Sequence, residues 1–153
     1  MTNRTADYAE LVRCIVHDDW AAYDQRTQRL NEESGWDGWS EFLAAAFLVA
    51  VERRFDEAND PAEVIRFVAE ARAEFTVSGS DLDPTAAEIM INSVLDRASA
   101  AGIDTRMVVQ VEIVVIRKLL RDANLTDADL DAFLVEAEQI GAEWGTESGT
   151  GEP

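Results

Sequence analysis

Between Trp39 and Phe55 the chain sets Trp39, Phe42, Leu43, Ala46, Phe47, Ala50, Val51 and Phe55 at i, i+3, i+4, i+7, i+8, i+11, i+12 and i+16, the spacing of one helix face. The middle of this stretch, Leu43 to Val51, goes further: it reads Leu-Ala-Ala-Ala-Phe-Leu-Val-Ala-Val, without a charged or strongly polar side chain on any face. A helix that is apolar all round has to be covered on several sides. The rest of the chain must therefore supply amphipathic elements that pack around it.

Those elements read as helices, because apolar residues recur at helical spacing and the punctuation between them is helix-start chemistry. A first helix runs from about Ala6 to Val16, with Tyr8, Leu11, Val12, Ile15 and Val16 on one side and Thr5 as its N-cap. A second follows Asp18 and carries a thinner stripe, Trp20, Tyr23, Thr27 and Leu30, before the cluster Asn31 to Gly38 ends it. Asp60-Pro61 and Asp83-Pro84 each pair an N-cap with proline at the first helical position, where its missing N–H costs nothing. They open a fourth helix with Val64, Phe67, Val68, Ala71 and Phe75, and a fifth with Ile89, Met90, Val94, Leu95 and Ala98.

The stretch Thr105 to Asp122 is the ambiguous element, since residues 107–116 alternate well enough for a buried strand. Two arguments favour helix: Arg106, Gln110, Arg117 and Arg121 collapse into one polar stripe on a helical wheel, and no second strand-like segment exists to pair with. A seventh helix begins at Thr126, with Asp129 three residues on in a capping-box pattern, and places Leu130, Phe133, Leu134, Ala137, Ile140 and Trp144 on its apolar face. The expected fold is all-α, a single-domain bundle of six to seven helices over residues 1–144, with the third and sixth helices central. Residues 145–153, small, polar and glycine-rich, are expected to be a disordered acidic tail.

With 153 residues the chain is long enough for one real core and too short for two. Its 31 acidic and 13 basic residues leave a formal charge of −18, and Lys118 is the single lysine. Phosphate backbones are bound largely through Lys and Arg, so nucleic acid is not expected as a direct partner. The longest nearly uncharged apolar runs, Phe42 to Val51 and Val108 to Ile116, fall short of the ~20 residues of a membrane span, and the N-terminus lacks a basic region leading into an apolar one. With Cys14 as the sole cysteine, no internal disulfide or multi-cysteine metal site can form, which fits a reducing cytoplasm. One histidine, His17, leaves no second ligand for a histidine-based metal site or di-iron motif, and no phosphate loop, dinucleotide fingerprint, nucleophile elbow or EF-hand occurs. No cofactor or metal is expected.

The acidity is unevenly placed. From Asp122 to Pro153 there are nine acidic residues and no basic one. On the wheel of the seventh helix Asp127, Asp131 and Glu138 flank one side of the apolar stripe, and Asp129, Glu136 and Glu143 flank the other. The plain interpretation is a solvated outer face. The functional one is a docking surface for a basic protein, with charge steering the encounter, as in an adaptor, inhibitor or immunity-type protein without enzymatic activity. A nucleic-acid mimic that occupies a DNA-binding protein is a narrower form of the same idea. A homodimer seam is a further expectation, because the sixth helix is apolar over most of its circumference. The competing class is a small-molecule binder or enzyme with a pocket at the one aromatic-rich corner, lined by His17, Trp20, Tyr23, Trp36 and Trp39; the alternative for those rings is a plug between the second and third helices.

Overall fold

The structure, a computed structural model, describes residues 4–33, 35–55, 61–74, 82–95, 98–99 and 101–150. They form seven helices: α1 (Arg4–Val16), α2 (Trp20–Glu32), α3 (Trp39–Arg54), α4 (Pro61–Glu74), α5 (Pro84–Val94), α6 (Thr105–Asp122) and α7 (Asp127–Thr150). Among the described residues there is no strand, and residues 107–116, the ambiguous stretch, lie within α6. None of the described helices is long and apolar enough to cross a membrane.

The all-apolar helix takes the position its sequence demands. α3 packs against α1, α5, α6 and α7, and Phe42, Leu43, Ala45, Ala46, Phe47, Val49, Ala50 and Val51 are all buried. α6 is the second hub, packed against α1, α3, α4 and α5. Val111, Val114, Val115, Ile116, Leu119 and Leu120 of α6 are buried, and Met107, Val108, Val109 and Ile113 are partly buried against the core. α2 packs on α1, with Leu30 its only buried residue, which accounts for its thin stripe. The seven helices share one contiguous core that runs from Tyr8 and Leu11 to Phe133 and Ala137.

Local chemistry sets the ends. The Asp83 carboxylate accepts from the Thr85 and Ala86 backbone N–H groups at 2.9 and 3.2 Å, and Thr126 Oγ1 accepts from the Asp129 N–H at 3.1 Å; both satisfy donors that a helix start leaves open. Asp60, the expected cap of α4, and Phe75, on its expected face, lie outside the described residues. α1 starts earlier than expected, at Arg4, so Thr5 is a helical residue and not the N-cap. In α5 the buried residues include Ala86, Ala87 and Ile91 as well as Met90, whereas Ala98 is exposed and beyond the helix. α7 continues to Thr150 instead of ending at Trp144; extending a helix already nucleated and packed adds one hydrogen bond per residue fixed, which offsets the glycine-rich composition. Residues 151–153 of the expected tail lie outside the described residues.

α3 and α7 approach each other closely at one glycine. Gly141 faces the α3 backbone so tightly that a Cβ there would sit 3.2 Å from the Glu41 carbonyl oxygen and 3.3 Å from the Phe42 Cα. Glycine permits this approach because it carries no side chain.

Two charged residues of α6 are inside. Lys118, 4% exposed, is surrounded by Glu74 (3.0 Å), Asp122 (3.0 Å) and Glu70 (3.8 Å), and its Nζ lies 5.4 Å from the centre of the Phe67 ring. Burial opposes its charge, but the hydrogen bonds to Asp122 and Glu74 outweigh it and hold the ammonium above its ordinary pKa. Glu112, 6% exposed, has no hydrogen-bond or ion-pair partner among the described residues, and burial raises its pKa to about 7. Because the folded protein holds this proton more tightly than the unfolded chain, its stability falls as pH rises from the ordinary carboxylate range to about 7 and is level beyond. Glu112→Gln should therefore be more stable than the wild type at pH 8, by up to about 3 kcal/mol, and match it near pH 4.5. Thermal melts of the two proteins at both pH values check this, and a wild type that is the more stable at pH 8 would contradict it.

Candidate functional site

The aromatic corner is organised by a residue that the sequence did not single out for it. Tyr8 of α1 is 2% exposed, and its ring lies 5.4 Å from Trp39, 6.1 Å from Phe42 and 6.5 Å from Trp36, centre to centre. Its hydroxyl sits 2.7 Å from the Gly35 carbonyl oxygen and 2.5 Å from that of Asp37. Tyr8 thus donates into the connection between α2 and α3. That connection ends at Gly38, with φ +84°, a left-handed conformation that glycine adopts without strain. Trp36 packs edge-on to Trp39 at 5.7 Å, and its indole N–H donates to Asn31 Oδ1 at 2.6 Å.

The five residues expected to line one pocket are placed in three ways. Trp36 and Trp39 surround Tyr8. Trp20 and Tyr23 form a separate edge-to-face pair on α2, at 5.4 Å, with Trp20 39% exposed. His17 is exposed on the turn between α1 and α2, its backbone N–H bonded to the Arg13 carbonyl. Among the described residues no three His, Cys, Asp or Glu side chains are grouped so as to hold a metal ion. Cys14 is buried, and burial raises its thiol pKa, which lowers its reactivity.

The neighbouring Asp18 reaches across to α6. α1 ends with the Asp19 N–H on the Cys14 carbonyl at 2.9 Å and the Asp18 N–H on that of Ile15 at 3.4 Å, with Asp18 at φ +56°. This is a Schellman end with aspartate in the position glycine usually takes. Asp19 is the N-cap of α2, accepting from the Ala22 N–H. The Asp18 carboxylate instead faces α6: Arg117 donates to both of its oxygens at 2.9 and 3.0 Å, and Arg121 donates to Oδ2 at 2.6 Å and to the Val16 carbonyl at 3.1 Å. The hydrogen bond from Arg117 leads in holding the Asp18 pKa below its ordinary value, against a smaller cost of burial. The polar stripe that identified α6 as a helix is thus partly a latch onto the α1–α2 corner.

The acidic helix is oriented by its apolar stripe. Leu130, Phe133, Leu134 and Ala137 are buried, and Ile140 and Trp144 are half-buried against the core. The apolar ridge expected to be offered to a partner between two acidic rails is therefore turned inward onto α3. Between the rails on the outer side lies a different row, Ala128, Ala132, Val135, Gln139 and Ala142, all exposed and spaced 4, 3, 4 and 3 residues apart, the step of a helix–helix seam. Val135 is 51% exposed. Sequence reasoning missed this row because alanines on the far side of a wheel look like filler; their shared spacing was the available signal.

The six acidic residues differ. Asp131 pairs with Arg13 of α1 at 2.5 Å and Glu136 with Arg53 of α3 at 2.9 Å. Asp127, Asp129, Glu138 and Glu143 are exposed and form no ion pair among the described residues. They flank the outer row on both sides. Comparison of the chain with protein-family models, with curated proteins and with solved structures gives no match.

Two substitutions separate the structural contacts of this region. Tyr8→Phe removes the hydroxyl and leaves the Gly35 and Asp37 carbonyls without that donor, so urea unfolding should show a loss of about 1 kcal/mol with the ring packing kept. Asp18→Asn retains a residue that tolerates positive φ and deletes the charge; the expected loss is about 1 kcal/mol at pH 7, discounted for exposure. Since the folded pKa of Asp18 is depressed, that difference should shrink as pH falls through and below the ordinary aspartate range. A difference that persists unchanged in acid would contradict the ionic latch.

Proposed function

We propose that the protein is a non-enzymatic interaction module that docks a basic protein partner on the outer face of α7, and that it works in the cytoplasm. What supports this is one arrangement: an exposed, uncharged row with the step of a helix–helix seam, flanked on both sides by Asp127, Asp129, Glu138 and Glu143, whose carboxylates form no ion pair among the described residues. Several carboxylates elsewhere do have a cation, as at Arg13, Arg29, Arg53, Arg117 and Arg121. An unpaired carboxylate row of one sign attracts a basic surface and repels an acidic one, so it acts on encounter and on partner choice. Two copies of α7 meeting along this row would bring like charges together, so the reading favours a different, basic chain over a second copy.

The fitting partner is a helix with small or aliphatic residues at its own seam and Lys or Arg beside them. Affinity capture from the native cell tests the reading with the wild type, a variant carrying Asn or Gln at positions 127, 129, 138 and 143, and Val135→Glu. A partner retained by the wild type, lost from both variants and released as salt is raised is the expected result; the same captured proteins with all three baits would contradict it.

A further inference from the structure

The molecule holds a recess of about 180 Å³ where the C-terminal ends of α3 and α6 meet the turn into α7. Its apolar lining comes from Ala50, Leu119, Leu120 and Leu125, three of them buried in the core and Leu125 half-buried at the mouth. A volume of this order holds one aromatic ring. The polar lining comes from Arg53, Arg54 and Asp122, and neither sign of charge prevails there. Lys118 is shared by Asp122 and Glu74, each at 3.0 Å, and by Glu70 at 3.8 Å, and both helices present the negative ends of their dipoles to the recess. An anion is therefore opposed. Arg53, paired with Glu136 at 2.9 Å, and Arg54, over the Phe55 ring at 4.7 Å, stand in the lining itself, so a cation is opposed as well.

What the recess offers is hydrogen-bond acceptors. The last carbonyls of a helix have no partner within it. In α6 those of Leu119 and Arg121 accept from the Ala123 and Asn124 N–H groups, both at 3.1 Å. Those of Leu120 and Asp122, two of the lining residues, accept no hydrogen bond among the described residues. A helix directs its carbonyls toward its C-terminal end, and that is the end of α6 that borders the recess.

We infer that this recess is a binding site for a small uncharged aromatic molecule that carries a hydrogen-bond donor on its ring. The ring lies on Leu119, Leu120 and Leu125, and its O–H or N–H donates to an open carbonyl at the end of α6. An apolar pocket with a few convergent polar groups is the ordinary composition of a small-molecule site. A ring of either charge is disfavoured, because it would give up its hydration for a lining that offsets neither sign. The site lies apart from the outer face of α7 and does not depend on the docking reading.

The test is a titration of the full-length protein at pH 7 with phenol, followed by the backbone amide signals in NMR, with anisole as the match without a donor and benzoate and benzylammonium as the charged rings. Phenol should shift the signals of Ala50, Leu119, Ala123 and Leu125 saturably. Anisole should bind about threefold to tenfold more weakly, the worth of one hydrogen bond, and both charged rings at least about tenfold more weakly. Ala123→Phe, a change at an exposed lining position, should fill the mouth and weaken phenol by at least about tenfold, in the range set by losing the ring's apolar contact. Equal affinity for phenol and anisole, or a charged ring that binds as tightly as phenol, would overturn the proposal in the wild type alone. So would the absence of saturable phenol shifts, shifts confined to residues outside the recess, or an unchanged affinity in Ala123→Phe.

Discussion

Everything in this molecule depends on covering α3. A helix whose central turns carry Phe47, Leu43, Val49 and alanines on every side would expose apolar surface in any two-helix or three-helix arrangement, at a cost of ~25 cal/mol for each Å² left in water. The bundle meets this by setting α6, α7, α1 and α5 around it. The alanines at 45, 46 and 50 let neighbouring helices come close, and Gly141 lets α7 approach the α3 backbone itself. The placement of α7, and with it the direction in which its carboxylates point, follows from that contact and not from any property of the acidic residues.

Electrostatics then distributes the remaining chain over the core. Arginines are the scarce reagent in a protein with 31 acids, and several of them are used as ties between helices: Arg117 and Arg121 latch α6 to Asp18, Arg13 reaches Asp131, and Arg53 reaches Glu136. The sole lysine is buried within three carboxylates between α4 and α6. What the ties leave over, among the described residues, includes a set of carboxylates without an ion pair on the outside of α7.

The helices were legible because each carries a period-3.6 stripe or a cap that acts within a few residues. Asp83-Pro84 and Thr126-x-x-Asp129 are local devices and stand where the sequence put them. α6 was legible for a less obvious reason: its arginines fall on one stripe only if it is a helix, and two of them meet the same carboxylate in the fold. What could not be read were pairings across long sequence separations. Tyr8 looks like one more stripe residue until the turn at Gly35 to Gly38 folds back over its hydroxyl. Asp18 stands beside the cap Asp19, and its partners Arg117 and Arg121 lie about a hundred residues away in the chain. The apolar stripe of α7 was identified correctly, but nothing local says that it meets α3 with its whole width, and that contact decides which side of the acidic helix remains for a partner. Glu112, a carboxyl in the core, breaks the alternation rules outright, and no sequence signal marks it.

Hydrogen exchange measured residue by residue across a denaturant series tests the covering of α3 most directly, because amides that open only with the whole molecule report the global stability and its denaturant slope. The amides of Ala45 to Val51 should exchange only by global unfolding, and those of Leu134 to Gly141 on the inner side of α7 should converge on the same free energy. Exchange of the α3 amides through a local opening, at a free energy well below that of α1 or α4 and with little dependence on denaturant, would contradict a structure assembled around that helix.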